Sequence, residues 1–137
     1  MLTVVLHQLL ERAFGARFHV RDHSPLRVDD RNLPEPDTFV VRGPPGDYFD
    51  RLPTPADVAI VVEVSYSSRI RDRHKAGIYA RGGVPVYWTL DVQRRSLTQY
   101  CDPKDGEYAT IRVLSPDEEI DCPAGGDPWL VASLLPK

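Results

Sequence analysis

Apolar residues Val5, Leu6, Leu9, Leu10, Ala13 and Phe14 recur at intervals of three and four, which puts them on one stripe of a helix over residues 3–14. Gly15 supplies the stop. The pattern then changes to short alternation: "RFHVRD", "LRVDD" and "DTFVVR" each read as a strand, the last following the proline-rich "LPEPD". Beyond the loop "RGPPGDYFDRLPTPAD" comes "DVAIVVEV", apolar on both faces, as in a central strand covered on both sides. "SSRIRDRHKAGIYARGG" reads as a helix, with Ser67 or Ser68 as N-cap and Gly82 and Gly83 as its end. "VPVYWTLDV" is the next strand, and a strand-helix-strand succession of this length predicts a right-handed parallel crossover. "SLTQYC" and "EYATIRVL" predict an antiparallel hairpin around "DPKDGE", and "DPWLVASLL" closes the chain as a short helix or strand. The class is mixed α/β.

Composition narrows this picture. A chain of 137 residues is expected to form one domain with a real core. Its longest apolar run, Val58 to Val62, is far too short to span a bilayer. The opening "MLTVVLHQLLERAFG" has neither a basic leader nor a small-residue cleavage site, so a cytoplasmic location is expected. Cys101 and Cys122 lack metal-ligand spacing and are expected to be free thiols. A net charge of −3 argues against a generally basic nucleic-acid-coating protein, yet leaves room for a local basic patch. Five of the seventeen Lys and Arg residues fall within "SSRIRDRHKAGIYAR", whereas "SPDEEIDCPAGGD" is acidic. The chain has no Gly-x-Ser-x-Gly elbow, phosphate-cradling glycine loop, Cys-x-x-Cys pair or zinc-type histidine spacing. Tyr87 and Trp88 read as core aromatics, and His74 as a helix-surface or core histidine.

The carboxylates carry the chemistry. Period-two alternation puts Asp57, Ala59, Val61 and Glu63 on one face of "DVAIVVEV", with Val58, Ile60, Val62 and Val64 on the other. A buried carboxylate without a partner is costly, so Glu63 needs a cation, a hydrogen-bond network or water. An ion pair with an arginine of the next helix is the ordinary solution. A second carboxylate nearby would instead favour a hard divalent cation such as Mg²⁺. Asp57 is excluded as that second acid, because six strand residues separate it from Glu63 by roughly 20 Å; its expected role is to start the strand. Asp37, held extended after Pro36 at the entry to a strand, is the better candidate, with a turn or cap as its alternative. Lys75 shares a helix side with Asp72 and Tyr79. It is either a solvated surface cation or an ammonium turned toward Glu63. Arg69, Arg71 and Arg73 either hold a phosphate backbone or form a solvated face.

"EPD" followed by "PADVAIVVEVSYSSRIRDRHKAGIYARGGVPVYW" resembles the Uma family of restriction-endonuclease-like proteins within the PD-(D/E)xK nuclease superfamily. The match runs in order over positions 35–91, with the opening helix and terminal hairpin fitting more loosely and the segment that usually precedes the helix missing. The resemblance implies a restriction-endonuclease-like core, a central mixed sheet flanked by helices with an acidic metal site at strand ends. It places Asp37 and Glu63 as the motif's two acids. The lysine usually found two residues after the second acid is replaced by Ser65, which points the same way without charge; Lys75 matches the helix lysine of the family. Mg²⁺ or Mn²⁺ would be held by Asp37, Glu63 and a backbone carbonyl near Val64. Lys75 would orient the attacking water, Tyr79 would bond the Lys75 region or a phosphate, and Glu11 would be a supporting acid. The implied activity is hydrolysis of DNA, and restriction-type pairing as a homodimer is one arrangement it allows. The alternatives are a nuclease-like fold retained as a DNA-binding or interaction module with solvated carboxylates, and a small-molecule hydrolase using the same acid pair.

Overall fold

The computed structural model describes residues 2–66 and 71–136. The chain opens with helix α1 (Leu2–Phe14) and a 3₁₀ turn at Gly15–Arg17, where Gly15 takes a φ of +74°. Strands β1 (Phe18–Asp22), β2 (Thr38–Arg42) and β3 (Val58–Ser65) follow, then helix α2 (Arg71–Gly82) and strands β4 (Val86–Asp91), β5 (Ser96–Lys104) and β6 (Glu107–Leu114). A small ladder of β7 (Glu119–Ile120) with β8 (Trp129–Leu130) and a 3₁₀ turn at Val131–Leu134 end the described chain. The six longer strands form one sheet in sequence order. Every adjacent pair is antiparallel except β3 and β4, which run parallel because α2 carries the chain across between them. No helix among the described residues is long and apolar enough to cross a membrane.

Two cores sandwich the sheet. On one side Leu6 and Leu10 of α1 pack with Val40, Ile60, Val62, Trp88 and Leu90, and the C-terminal Val131 and Leu134 complete the layer. On the other, Ala76, Tyr79 and Ala80 of α2 pack on Phe39, Val41, Val61 and Tyr87, together with Leu26 and Tyr48 from the connecting loops. Covering both faces explains why β3 is apolar from Val58 to Val62. Val5, although on the periodic stripe of α1, is exposed, so the buried seam of that helix is narrower than the periodicity predicts.

Two expectations about strands need correction. "LRVDD" is not a strand: Leu26 and Arg27 donate their N–H groups to Pro34 and Pro53 of the flanking loops, and the Asp29 carboxylate accepts the N–H groups of Arg31 and Asn32 at 2.8 Å each. A short acidic side chain that captures its own downstream backbone favours a turn over a ladder. Nor does β3 alternate cleanly from its start. Val40 pairs with Ile60 but Val41 pairs with Val58, so Ala59 is the extra residue of a bulge. Val58 consequently joins Val61 in the core under α2, whereas Ala59 packs toward α1. Alternation is regular only from Ile60 onward, which leaves Glu63 facing α2. Asp57 sits in a 3₁₀ turn, accepts from the Thr54 N–H at 2.9 Å, and pairs with Arg51.

Helix α2 ends as its two glycines suggest. Gly83, at φ +86°, donates to the Ala80 carbonyl, and Val84 donates to that of Tyr79, the two bonds of a Schellman closure. Gly82 has a different reason for being glycine: a Cβ there would lie 2.7 Å from Val28 Cγ1 and 3.0 Å from Pro55 Cγ. Gly82→Ala should therefore destabilise the protein by about 1–3 kcal/mol through overpacking, although alanine is the better helix former. Urea denaturation checks this, and a stabilised variant would refute the close approach.

Candidate functional site

The site lies where β2 begins and β3 ends. Thr38 pairs with Val62, so Asp37, one residue before β2, falls beside Glu63. The two acids interlock through each other's backbone. The Val64 N–H donates to Asp37 Oδ2 at 2.7 Å, and the Asp37 N–H faces Glu63 Oε1 at 3.4 Å.

Lys75 and Tyr79, one turn apart on α2, both reach the same acid. Lys75 Nζ is 2.9 Å from Glu63 Oε2, and the Tyr79 hydroxyl is 3.5 Å from that oxygen. The Glu63 side chain is 9% exposed and Lys75 45% exposed, so the ion pair has one buried and one open member. Tyr79 is fully buried, and of the two contacts expected of it, the Lys75 region or a phosphate, the one it makes is with the Glu63 oxygen that Lys75 also meets. Ser65 lies one pleat beyond Glu63, paired in register with Asp91 of β4. Ser67, Ser68 and Arg69 fall outside the described residues, as do the side chains of Arg71 and Arg73, and with them the expected helix cap and phosphate contacts.

Glu11 does not reach the acid pair. It is exposed and lies 3.4 Å from His7 Nε2, and His7 in turn contacts Asp22 Oδ2 through Nδ1 at 2.7 Å. Asp22, at the end of β1, also accepts from the buried Thr38 hydroxyl at 3.0 Å. The next residue, His23, donates its backbone N–H toward the Pro36 and Asp37 carbonyls, and its ring stands 3.6 Å from Asp37 Oδ1. Sequence reasoning missed His7, Asp22, His23 and Thr38. Only the four-residue spacing of His7 and Glu11 on one helix face hinted at them.

Electrostatically the site is under tension. Burial, the largest influence, pushes the Glu63 carboxyl above its ordinary range; the Lys75 ammonium pulls it back down, and the Asp37 carboxylate adds to the upward push. Burial likewise pushes the Tyr79 hydroxyl far up, and the Glu63 charge reinforces it, so Tyr79 stays a neutral donor. An acid raised by burial and a like charge, beside a partly exposed lysine, is what a bound divalent cation would relieve. Asp37, whose side chain is 28% exposed, and Glu63 are the two carboxylates available to such a cation. Among the described residues no group of three or more His, Cys, Asp or Glu is placed to share one ion. Two hard carboxylates completed by water or substrate oxygen suit Mg²⁺, whereas a structural zinc takes four protein ligands.

The raised Glu63 carboxyl has a measurable consequence. Between its ordinary value of 4.5 and its raised folded value, the native protein holds a proton that the unfolded chain has released. Its contribution to stability is therefore fully present below the unfolded value and lost as pH rises through that window. In metal-free buffer, Glu63→Gln should remove this loss, raising Tm at neutral pH by roughly 2–4 °C and converging with wild type at acid pH. Thermal melts against pH check it; parallel curves for the two proteins would contradict it.

The comparisons with known proteins agree with this architecture. A solved structure of a "putative nuclease belonging to DUF820" from Anabaena variabilis ATCC 29413 superposes with a TM-score of 0.77, covering 97% of this chain and 77% of that one at 11% identity. The fold is restriction-endonuclease-like: a mixed six-stranded sheet between helices. No curated protein matches the chain. The family model Uma2, described as "Putative restriction endonuclease", matches residues 2–132, nearly the whole sequence, and the chain belongs to that family.

Proposed function

We propose that the protein is a metal-dependent endonuclease that hydrolyses DNA phosphodiester bonds, using Mg²⁺ or Mn²⁺. The observation that carries this reading is the meeting of Asp37, Glu63 and Lys75 at one strand end, with the Lys75 ammonium 2.9 Å from a nearly buried Glu63. Asp37 and Glu63 would hold the cation, which supplies Lewis acidity toward the phosphate and activates water. The chain's own residues do the positioning. The Val64 N–H fixes one Asp37 oxygen, leaving Oδ1 for other partners, and Tyr79 backs Glu63 from the core. Lys75 has three N–H donors, one directed at Glu63; being partly exposed, it can aim the others at a water or a phosphate oxygen. The ammonium comes from α2, so it takes over the charge that Ser65 lacks.

The reading is tested by incubating purified protein with supercoiled plasmid, with Mg²⁺ and with EDTA. Nicked and linear products that depend on Mg²⁺ are expected. Intact plasmid under all conditions would favour the non-catalytic module, and turnover of small phosphodiesters without DNA cleavage would favour the small-molecule hydrolase.

A further inference from the structure

The proline- and glycine-rich loop between β2 and β3 is not used by the acid site, yet it builds a second feature. Phe49 is 90% exposed and borders an open cavity of about 600 Å³ lined also by Arg27, Asp50, Arg51 and Leu52. The loop beneath it is rigidly held. A 3₁₀ turn at Pro45–Tyr48 precedes Phe49, the buried Tyr48 donates its hydroxyl to the Arg42 carbonyl at 2.7 Å, and the Arg27 N–H is bonded to Pro53. Arg51 and Arg21 both lie over the Tyr48 ring, 4.6 and 5.9 Å from its centre. Arg21 belongs to β1, two residues before the His23 that faces Asp37, so this aromatic and basic surface continues toward the acid pair.

We propose that this cavity binds a nucleotide of single-stranded nucleic acid, its base stacked on Phe49 and its phosphate met by Arg27. The inference rests on the nuclease reading for its biological sense: Arg51 of the cavity pairs with Asp57, at the opposite end of β3 from Glu63, so the cavity would hold a nucleotide of the substrate strand a few positions away from the bond to be cut. A large apolar ring presented to water on a fixed turn loses little conformational entropy when a base covers it, and base–aromatic stacking tolerates any base. The charges fit the same occupant. Asp57 is already neutralised by a two-pronged contact with Arg51, at 2.9 and 3.4 Å, whereas Arg27 is an exposed residue of the cavity lining. Asp50 and Thr54 add polar groups of the kind that read base edges. A protein partner is less suited, since the centres of protein interfaces are depleted of charge.

The test is fluorescence anisotropy of a labelled (dT)₁₂ oligonucleotide in EDTA, with the full-length protein. Phe49→Ala should weaken binding about tenfold, and Phe49→Trp should restore it and show quenching on titration. Arg27→Ala should lower the slope of log affinity against log salt by about 0.7, which a merely structural role would not do. Because both side chains are exposed, unchanged melting temperatures are expected. Equal affinity of wild type and Phe49→Ala overturns the proposal, as does a wild type that does not bind (dT)₁₂. So does a Phe49→Ala that dissociates a homodimer in sedimentation at unchanged affinity, since the surface would then join copies of the chain. Plasmid cleavage by a Phe49→Ala protein of unaltered affinity overturns the nucleotide site alone; Phe49-dependent binding without any cleavage overturns the nuclease reading alone.

Discussion

Glu63→Ala should reduce Mg²⁺-dependent plasmid nicking by about 10³-fold, the scale on which several kcal/mol of transition-state stabilisation act. Two losses combine. The proposed cation would lose one of its two carboxylates, and Lys75 loses the anchor that holds its ammonium at 2.9 Å. Lys75→Ala should fall by about 10²- to 10³-fold through the second loss alone. The variants also differ in stability. Glu63→Ala removes a costly buried carboxyl, and its partner Lys75 is open to water, so the fold should tolerate it. Lys75→Ala strands Glu63 under cover and should lower Tm. DNA affinity in Ca²⁺ should change far less than the rate in both, because the missing interaction is made in the transition state. Ser65 offers a sharper check. It follows Glu63 by two residues on the same face, so Ser65→Lys in the Lys75→Ala background delivers an ammonium from the strand and should recover part of the activity.

The second large effect concerns the fold. Trp88→Ala should cost about 3–5 kcal/mol, a large share of the roughly 5–15 kcal/mol that holds a domain of this size. Among the described residues Trp88 is the largest fully buried side chain. Its indole N–H donates to Gln99 Oε1 at 2.9 Å, and its ring meets Trp129 edge-on with centres 6.2 Å apart. Truncation leaves a cavity between the sheet and its terminal cover and strands the Gln99 carbonyl. Trp88 also pairs with Val62, the neighbour of Glu63, so loss of packing reaches the strand that carries the acid. Urea denaturation should show a lower midpoint at unchanged slope; a loss below about 1 kcal/mol would mean that this core is not tightly packed.

Most of the architecture was legible because it rests on periodicity. The helical stripe of Leu6 and Leu10, the two-sided apolar run of β3 and the closing glycines of α2 each follow from local rules. What the chain alone did not reveal was non-local. The bulge at Ala59 arises from the pairing of β2 with β3, and nothing in "DVAIVVEV" marks it. "LRVDD" alternates like a strand, but its Asp29 side chain captures the turn and its backbone bonds go to distant prolines. At the site, Asp37, Glu63 and Lys75 were recognisable as a set from an ordered resemblance, and the structure brings all three together. The support around them was hidden, because His7, Asp22 and Thr38 come from three elements and meet only once β1 lies against β2. Tyr79 shows the remaining limit: helical spacing placed it near Lys75, but only the packing of α2 on the sheet shows that it is buried and faces Glu63.

The most direct test is a crystal structure of the protein soaked in Mn²⁺, with anomalous data at the manganese edge. One anomalous peak within bonding distance of both Asp37 and Glu63 is predicted, close to Lys75 and absent from Asp37→Asn crystals. Crystals of nicking-active protein that show no peak between those carboxylates, or a peak bound elsewhere that survives Asp37→Asn, would contradict the assignment of this acid pair as the metal site.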